Sequence, residues 1–195
     1  METLQQKLDR VLQEDVAIVP YDPGWPELFR QEKEHLLAMF PPALVRRVEH
    51  FGSTAVPGLA AKPIVDILVE VRDLAEVRAV VPPVLESQGY DYFWRPTSGD
   101  NTPPFYAWFI RRDPNTRVRT HHIHMVELQF QQHWDRLLFR DYLITHPLVA
   151  HEYQVLKLLL VAAYHHDRVR YTEEKSAFIS RVTEEARGHF AKTEA

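Results

Sequence analysis

The chain has 195 residues, a formal net charge of −4 and no cysteine. Its length favours one domain, and its hydrophobic (45%) and charged (26%) fractions are those of a globular protein. The negative charge argues against general nucleic-acid binding, and the lack of cysteine excludes disulfides and thiolate chemistry. The N-terminus lacks the pattern of a signal peptide and no run of residues is apolar enough to span a membrane, so we expect a cytoplasmic protein.

Two helices are predicted before the first strand. Leucine and valine recur at helical spacing over about the first dozen residues. After the turn Asp22-Pro23-Gly24, Pro26 suits the first turn of a second helix, which should end at Pro41-Pro42. Its predicted apolar stripe contains Leu28, Phe29, Leu36, Leu37 and Phe40.

The most informative stretch runs from Val48 to Val71 and has the pattern of a strand, a turn, a loop and a second, almost wholly apolar strand. Asp66 interrupts that second strand, where a carboxylate is costly unless it is paired, hydrogen-bonded or bound to a metal. Gly52 and Ser53 lie where the first strand ends and backbone N–H groups become free, which favours anion binding. Lys62, just before the second strand, would add positive charge to this anion pocket.

The remaining elements follow from caps, breakers and periodicity. Asp73 is a predicted N-cap of a helix that Pro82-Pro83 should kink or split. A strand at about 90–94 is followed by a polar loop, Arg95 to Pro104, which we expect to be a mobile flap. Two strands then flank a hairpin turn at 113–116, and three helices complete the chain, the second being the most buried. These three helices are predicted at about 131–145, 148–165 and 172–192.

This order of elements predicts an α+β fold with a mixed sheet rather than a repeating βαβ fold. We expect the sheet core at about 18–130 and a helical part at about 131–195. Nine side chains lie on the apolar stripes of their elements and should be largely buried. They are Trp25, Phe29, Phe51, Ile64, Ile67, Val69, Trp108, Leu158 and Phe178.

Three histidines, His121, His122 and His124, occur within four positions of a predicted strand. Alternate residues of a strand share a face, so His122 and His124 point the same way. With Asp66 from a neighbouring strand they would form a three-ligand site for a divalent metal. The alternative is that both are ordinary half-buried, hydrogen-bonded histidines, and the pattern leaves both interpretations open.

Several separated motifs resemble those of the GrpB family (UPF0157). They are E-H-F-G-S-T-A-V-P-G-L-A-A-K-P-I-V-D-I-L-V, R-T-H-H-I-H-M-V-E, F-R-D-Y-L-I-T-H-P and Y-T-E-E-K-S-A-F-I, with V-P-Y-D-P-G-W-P-E-L-F near the N-terminus. The resemblance extends from about Val19 to Ile179. It implies one domain, 1–195, of the nucleotidyltransferase superfamily. Its expected fold is a polymerase-β-like mixed sheet core with N-terminal helices and a C-terminal helical bundle.

The resemblance also implies a set of site residues. The superfamily places Gly-Ser at a helix start, an Asp-x-Asp/Glu pair on the next strand and a third acid later, which bind two Mg²⁺ for nucleotidyl transfer. Gly52-Ser53 match the Gly-Ser pair, and Asp66 matches the first acid and is the candidate catalytic residue. Leu68 stands in place of the second acid, and histidines replace the third. One carboxylate with imidazoles suits Zn²⁺, Mn²⁺ or Ni²⁺ better than paired Mg²⁺.

Other cationic residues of these motifs are candidate ligands for phosphate. For any single arginine, a solvated charge or a surface ion pair is the alternative. Lys157 and Lys175 lie beside apolar helix faces, where an anionic ligand would explain a charge held near a core. The arginine candidates are Arg111, Arg112, Arg119 and Arg140.

The expected function is that of a GrpB family protein that binds a divalent metal and a nucleotide or another phosphate-bearing small molecule. In one interpretation it transfers a nucleotidyl group, with Asp66 holding the metal and His122 or His124 acting as ligand or general base. The alternative is a non-catalytic ligand-binding or folding-assisting module without transfer activity, which Leu68 favours. A metal-dependent hydrolase also fits the ligands, but the sequence indicates no base for it.

Overall fold

The computed structural model describes residues 5–7, 10, 14–97 and 102–193. The strands are Val45–Phe51 (β1), Val65–Val71 (β2), Asp91–Pro96 (β3), Phe105–Arg112 (β4) and Arg119–Glu127 (β5). The helices are Trp25–Met39 (α1), Leu74–Ser87 (α2), Gln131–Thr145 (α3), Pro147–Tyr164 (α4), Arg168–Glu173 (α5) and Ser176–Thr193 (α6), with a 3₁₀ turn at Ser53–Ala55. The predicted N-terminal helix lies largely outside the described residues, although 5–7 and 10 are helical.

The strands form one sheet in the order β1-β2-β5-β4-β3. Strands β2 and β5 are parallel, and the other neighbours are antiparallel. The predicted hairpin at 113–116 joins β4 to β5, and Asp113 caps the turn by accepting hydrogen bonds from Asn115 and Thr116. The chain is therefore α+β with a mixed sheet, as the order of elements predicts.

The chain divides into two compact units. The sheet unit contains Pro23–Ala55 and Ile64–Trp134, and so includes the whole sheet with α1 and α2. The helical unit contains Val56–Pro63, the described residues up to Asp22 and the described residues from Asp135 onwards. The prediction of a single domain stays a prediction.

In the sheet unit, α1 and α2 both contact the sheet. Asp73 caps α2 as predicted, by accepting hydrogen bonds from the backbone of Ala75 and Glu76. Pro82-Pro83 do not split the helix, since α2 is continuous across both prolines, and the alternative of a kink stays a prediction. Pro82 is itself buried, and the packing of the helix outweighs the loss of two backbone donors.

Helix α1 ends before Pro41 as predicted, but two of its expected core residues are exposed. Leu28 is 39% and Leu37 42% exposed, whereas Trp25 and Leu36 are buried. The buried stripe is narrower than predicted because a single helix face meets the sheet. That stripe also includes a carboxylate, Glu32, which is 0% exposed.

Two apolar clusters lie among the described residues of the helical unit. One joins Val56 and Leu59 to residues of α3, α4 and α6, and the other contains Val16, Leu160 and Tyr171. The prediction that α4 is the most buried helix is wrong, because Leu158 and Leu159 are 47% and 64% exposed. The buried face of α4 consists of Ala150, Tyr153, Lys157 and Leu160.

The structure changes two further expectations about the C-terminal helices and the core. The last helix, predicted at about 172–192, corresponds mainly to α6, and a separate short helix, α5, begins before it at Arg168, with Asp167 as its cap. Six of the nine residues predicted to be buried are buried, and Phe29 and Phe178 are half-buried. The prediction for Leu158 is wrong, since this residue is exposed. The six are Trp25, Phe51, Ile64, Ile67, Val69 and Trp108.

The predicted flap begins later than expected, because Arg95 and Pro96 belong to β3. Its ends are joined by a hydrogen bond of 2.8 Å from the Thr97 N–H to the Pro104 carbonyl. Residues 98–101 lie outside the described residues, so the mobility of the flap stays a prediction. Within the described part of the chain, no helix combines the length and apolar character that a membrane span requires.

Candidate functional site

Asp66 and His122 meet directly across the parallel strands β2 and β5, where they are register partners. His122 Nδ1 lies 3.1 Å from Asp66 Oδ1, and the two side chains are 11% and 27% exposed. A carboxylate only accepts hydrogen bonds, so the imidazole donates from Nδ1, and its other nitrogen, Nε2, is buried. This Asp66–His122 pair explains how a carboxylate is tolerated in an apolar strand.

Gly52 lies against the Asp66 carboxylate. Because Phe51 pairs with Asp66 across β1 and β2, the turn that follows β1 comes beside that side chain. Gly52 has a φ of 74°, and a Cβ at this position would lie 2.7 Å from Asp66 Oδ2. The structure therefore brings Gly52 and Asp66 together, and Ser53 follows at the start of the 3₁₀ turn.

Replacing Gly52 with alanine should destabilise the protein by about 1–3 kcal/mol, because it combines left-handed backbone strain with a clash against Asp66. The matched control is Gly58→Ala, since Gly58 has a φ of 79° but a Cβ added there would meet nothing within 4 Å. Urea unfolding of both variants measures the two effects. A loss of stability that is no larger in Gly52→Ala than in Gly58→Ala would contradict the close contact.

His124 does not join Asp66 and His122. Its register partner on β2 is Leu68, and its ring stacks on Tyr106 at a centroid distance of 5.5 Å. Among the residues that the structure describes, no three histidine, aspartate or glutamate side chains form a group that could hold a metal ion. The predicted ligand set is thus not assembled, because two residues along a strand separate side chains by about 6.6 Å.

Trp108 and Arg95 lie on the same sheet face as the Asp66–His122 pair. Neither was predicted as a site residue. The Trp108 ring meets His122 edge to face at 5.2 Å, and the Arg95 guanidinium lies 4.6 Å from the Trp108 centroid. Ile110 pairs with His122 and so shares its face, and Trp108, two residues away on β4, points to the same side. The hairpin pattern alone does not carry this information, because the register between β4 and β5 shifts between Arg111 and Arg112. A shift of one residue changes which β4 side chains share a face with the histidines.

A second group of candidate residues lies in the helical unit and is here called the lysine cluster: Lys62, Lys157, Lys175 and Tyr171. The Lys62 and Lys175 ammonium groups lie 5.5 and 4.5 Å from the Tyr171 ring centroid. Lys157 is 2% exposed and donates a hydrogen bond to the Ala60 carbonyl. Tyr171 is 0% exposed, and its hydroxyl has no hydrogen-bond partner within the described part of the chain.

The charge state of Lys157 is set by its surroundings. Burial, and then the positive charge of Lys175, lower the pKa of Lys157 to about 7. The neutral amine and the charged ammonium are therefore both populated near neutral pH. A nearby anion would favour the charged form and raise this pKa again.

The predicted arginine ligands are engaged within the fold. Arg112 forms a buried ion pair with Asp91 at 2.9 Å, the side chains being 3% and 8% exposed, and also donates to the Arg117 carbonyl. This buried pairing does not support the predicted role of Arg112 as a phosphate ligand. Arg140 pairs with Asp141, the next residue, at 2.7 Å.

Arg111 and Arg119, the other two arginine candidates, are also placed within the sheet unit. Arg111 donates to the buried Glu32 carboxylate, which also accepts a hydrogen bond of 2.8 Å from the Tyr90 hydroxyl. Arg119 is 2% exposed.

Comparisons with known proteins agree over most of the chain. The family model described as GrpB protein matches residues 15–185. The chain is 38% identical over 173 residues, 88% of its length, to UPF0157 protein YqkA of Bacillus subtilis, and spans about half (47%) of that relative. It is 36% identical over 171 residues to Glutamate-rich protein GrpB of Alkalihalophilus pseudofirmus, covering 88% of this chain and 95% of that one.

A solved structure is similar as well. The crystal structure of conserved protein GrpB from Enterococcus faecalis matches with a TM-score of 0.76 and 32% sequence identity. The match covers 89% of this chain and 99% of that chain. The similarity therefore extends over the sheet and the C-terminal helices alike.

Proposed function

The chain belongs to the GrpB family, and we propose that it binds a nucleotide or another phosphate-bearing small molecule through the lysine cluster. The observation that carries this proposal is the placement of Lys62 and Lys175 over Tyr171 while Lys157 is 2% exposed. Lysine is a frequent phosphate ligand, and it acts as a point charge. The expected ligand therefore carries at least one phosphate group.

The ammonium groups of Lys157 and Lys175 are like charges that lie near each other. Lys175 lowers the pKa of Lys157, so the two ammonium groups repel each other, and burial adds to the cost of the charge on Lys157. A phosphate with about two negative charges would offset both costs. A bound phosphate thus adds a favourable interaction to an arrangement in which like charges lie close together.

A second candidate function is nucleotidyl transfer. With it we propose that the mixed α+β sheet has the nucleotidyltransferase fold. The hydrogen bond between Asp66 and His122 favours it, because an imidazole oriented by a carboxylate can take the proton of an acceptor hydroxyl. The acceptor oxygen would then bond to the α-phosphorus of a nucleoside triphosphate, and the α–β phosphoanhydride bond would break to release pyrophosphate. Leu68 is 0% exposed in place of a second acid, which argues against a two-metal route and favours a non-catalytic binding module.

A divalent metal at Asp66 stays a prediction. Asp66 offers carboxylate oxygens and His122 an imidazole nitrogen, whereas His124 stacks on Tyr106 instead. Two protein ligands are fewer than the three of an ordinary catalytic zinc site. The proposed phosphate binding does not depend on this metal, and Mn²⁺ and Zn²⁺ enter the experiment as separate additions.

The test is a calorimetric titration with ATP and with inorganic triphosphate, each with and without a divalent metal. We expect saturable binding that Lys175→Gln and Lys62→Gln each weaken about five- to tenfold, the scale of one charge-assisted contact. The matched control is Lys192→Gln, which makes the same change at an exposed lysine of α6.

Two outcomes would overturn the proposal. The first is that neither ATP nor triphosphate binds, and the second is that Lys192→Gln weakens binding as much as Lys175→Gln. Release of pyrophosphate from ATP measures the transfer activity separately. Loss of that release in Asp66→Asn, with triphosphate affinity unchanged, would favour transfer over the binding module.

A further inference from the structure

The sheet unit has an open groove of about 460 Å³ between α2 and the β3 edge of the sheet. Its main lining residues are Ala75, Arg78, Ala79, Trp94, Phe105 and Phe130. Trp94 pairs with Ala107 of β4, and His122 pairs with Ile110 of β4. Ala107 and Ile110 are an odd number of residues apart, so their side chains point to opposite faces. The groove therefore lies on the opposite sheet face from the Asp66–His122 pair.

The walls of the groove are aromatic and only half-buried. The rings of Trp94 and Phe105 are stacked, with an interplanar angle of 13° and a centroid distance of 6.1 Å. Phe130 is also half-buried. On the helix side Ala75 and Ala79, one turn apart, leave the space between helix and rings open. The shape and chemistry of these walls suit a flat apolar ring system.

Arg78 adds a positive charge to this aromatic wall. Its guanidinium lies 4.9 Å from the centroid of the Trp94 ring, and the residue is exposed. Within the described part of the chain, Arg78 forms no ion pair, whereas Arg72, just before α2, pairs with Glu76 at 2.8 Å. Stacking holds the guanidinium in place while its N–H groups can still bind an acceptor.

We propose that this groove binds a small planar aromatic anion, such as an aryl carboxylate or sulfonate. The rings of the ligand pack against Trp94, Phe105 and Phe130, and its anionic group accepts hydrogen bonds from Arg78. The volume is within the range of small-molecule sites, and one charged group among apolar walls is their usual composition. This site is independent of the lysine cluster, which belongs to the helical unit.

Two fluorescent probes of similar shape separate the ring contribution from the charge contribution. The first is 8-anilinonaphthalene-1-sulfonate, and the second is its neutral analogue N-phenyl-1-naphthylamine. We expect both to bind the folded protein saturably. Arg78→Gln should weaken binding of the sulfonate about fivefold or more and leave the neutral probe unchanged, because only the sulfonate interacts with the guanidinium.

A substitution that fills the groove tests the location. Ala79→Trp should weaken both probes more than about tenfold, because the indole occupies the space between α2 and the rings. The matched control is Val80→Trp, which adds the same bulk at a 46% exposed neighbour that does not line the groove. Circular dichroism of each variant confirms that the fold is retained.

Three results would overturn the proposal. Undiminished binding of the sulfonate in Ala79→Trp would show that the probe lies elsewhere. An equal effect of Arg78→Gln on both probes, or none on either, would exclude recognition of the anionic group. Binding only at millimolar probe concentration would indicate an adventitious additive only.

Discussion

Replacing Lys157 with methionine should raise the free energy of unfolding at pH 6 by about 2–4 kcal/mol and abolish phosphate binding. Burial and Lys175 lower the pKa of Lys157 from 10.5 to about 7, and each pKa unit corresponds to about 1.4 kcal/mol. The methionine variant also loses the hydrogen bond to the Ala60 carbonyl, which lowers its free energy of unfolding by about 1 kcal/mol. The side chain that we propose as a ligand contact is therefore one that destabilises the free protein.

The free energy of unfolding should depend on pH through the protonation of Lys157. Between pH 7 and 10.5 the folded chain holds Lys157 mostly neutral, whereas the unfolded chain holds it charged and so binds more protons. Stability of the original chain should therefore rise with pH across this interval, and the full cost of the charge is present below pH 7. The methionine variant should lack this contribution to the rise.

Urea unfolding at pH 6, 8 and 10 measures the free energy of unfolding and its change with pH. Lys192→Met is the control at an exposed position. If Lys157→Met and the original chain change in parallel between pH 7 and 10.5, Lys157 is not held neutral in the fold. If phosphate still binds the methionine variant with the same affinity, the lysine cluster does not form the ligand site. These two results are independent, so each can fail alone.

Replacing Asp91 with alanine should destabilise the sheet unit by about 3–5 kcal/mol. Its carboxylate pairs with Arg112 at 2.9 Å, and the arginine side chain is 3% exposed. Removing one partner of a buried ion pair leaves an uncompensated charge, which costs far more than the pair itself contributes. Urea unfolding of Asp91→Ala measures this loss.

The double variant Asp91→Leu with Arg112→Met is the control, because it removes both charges and keeps apolar volume. Its stability should lie within about 1–2 kcal/mol of the original chain, well above that of Asp91→Ala. Phosphate affinity should be unchanged in the double variant, contrary to the sequence-based expectation that Arg112 binds phosphate. A double variant as unstable as Asp91→Ala would contradict this account of the pair.

Much of the fold follows from local pattern and local chemistry. Asp73 caps a helix because its side chain reaches backbone N–H groups two and three residues on, an interaction internal to the segment. The hairpin at 113–116 is encoded by its own turn residues. The conjunction of a glycine turn, an apolar strand and Asp66 likewise indicated a special site, because few arrangements satisfy a carboxylate in such a strand.

The tertiary structure decided what depends on alignment between distant segments. Alternation predicts that His122 and His124 share a face, but the parallel register of β2 and β5 sets His122, not His124, opposite Asp66. On α4, periodicity could not show that Lys157 is buried while Leu158 and Leu159 are exposed. A repeating pattern shows which residues lie together on an element, whereas the face that is covered depends on packing partners far away in the chain.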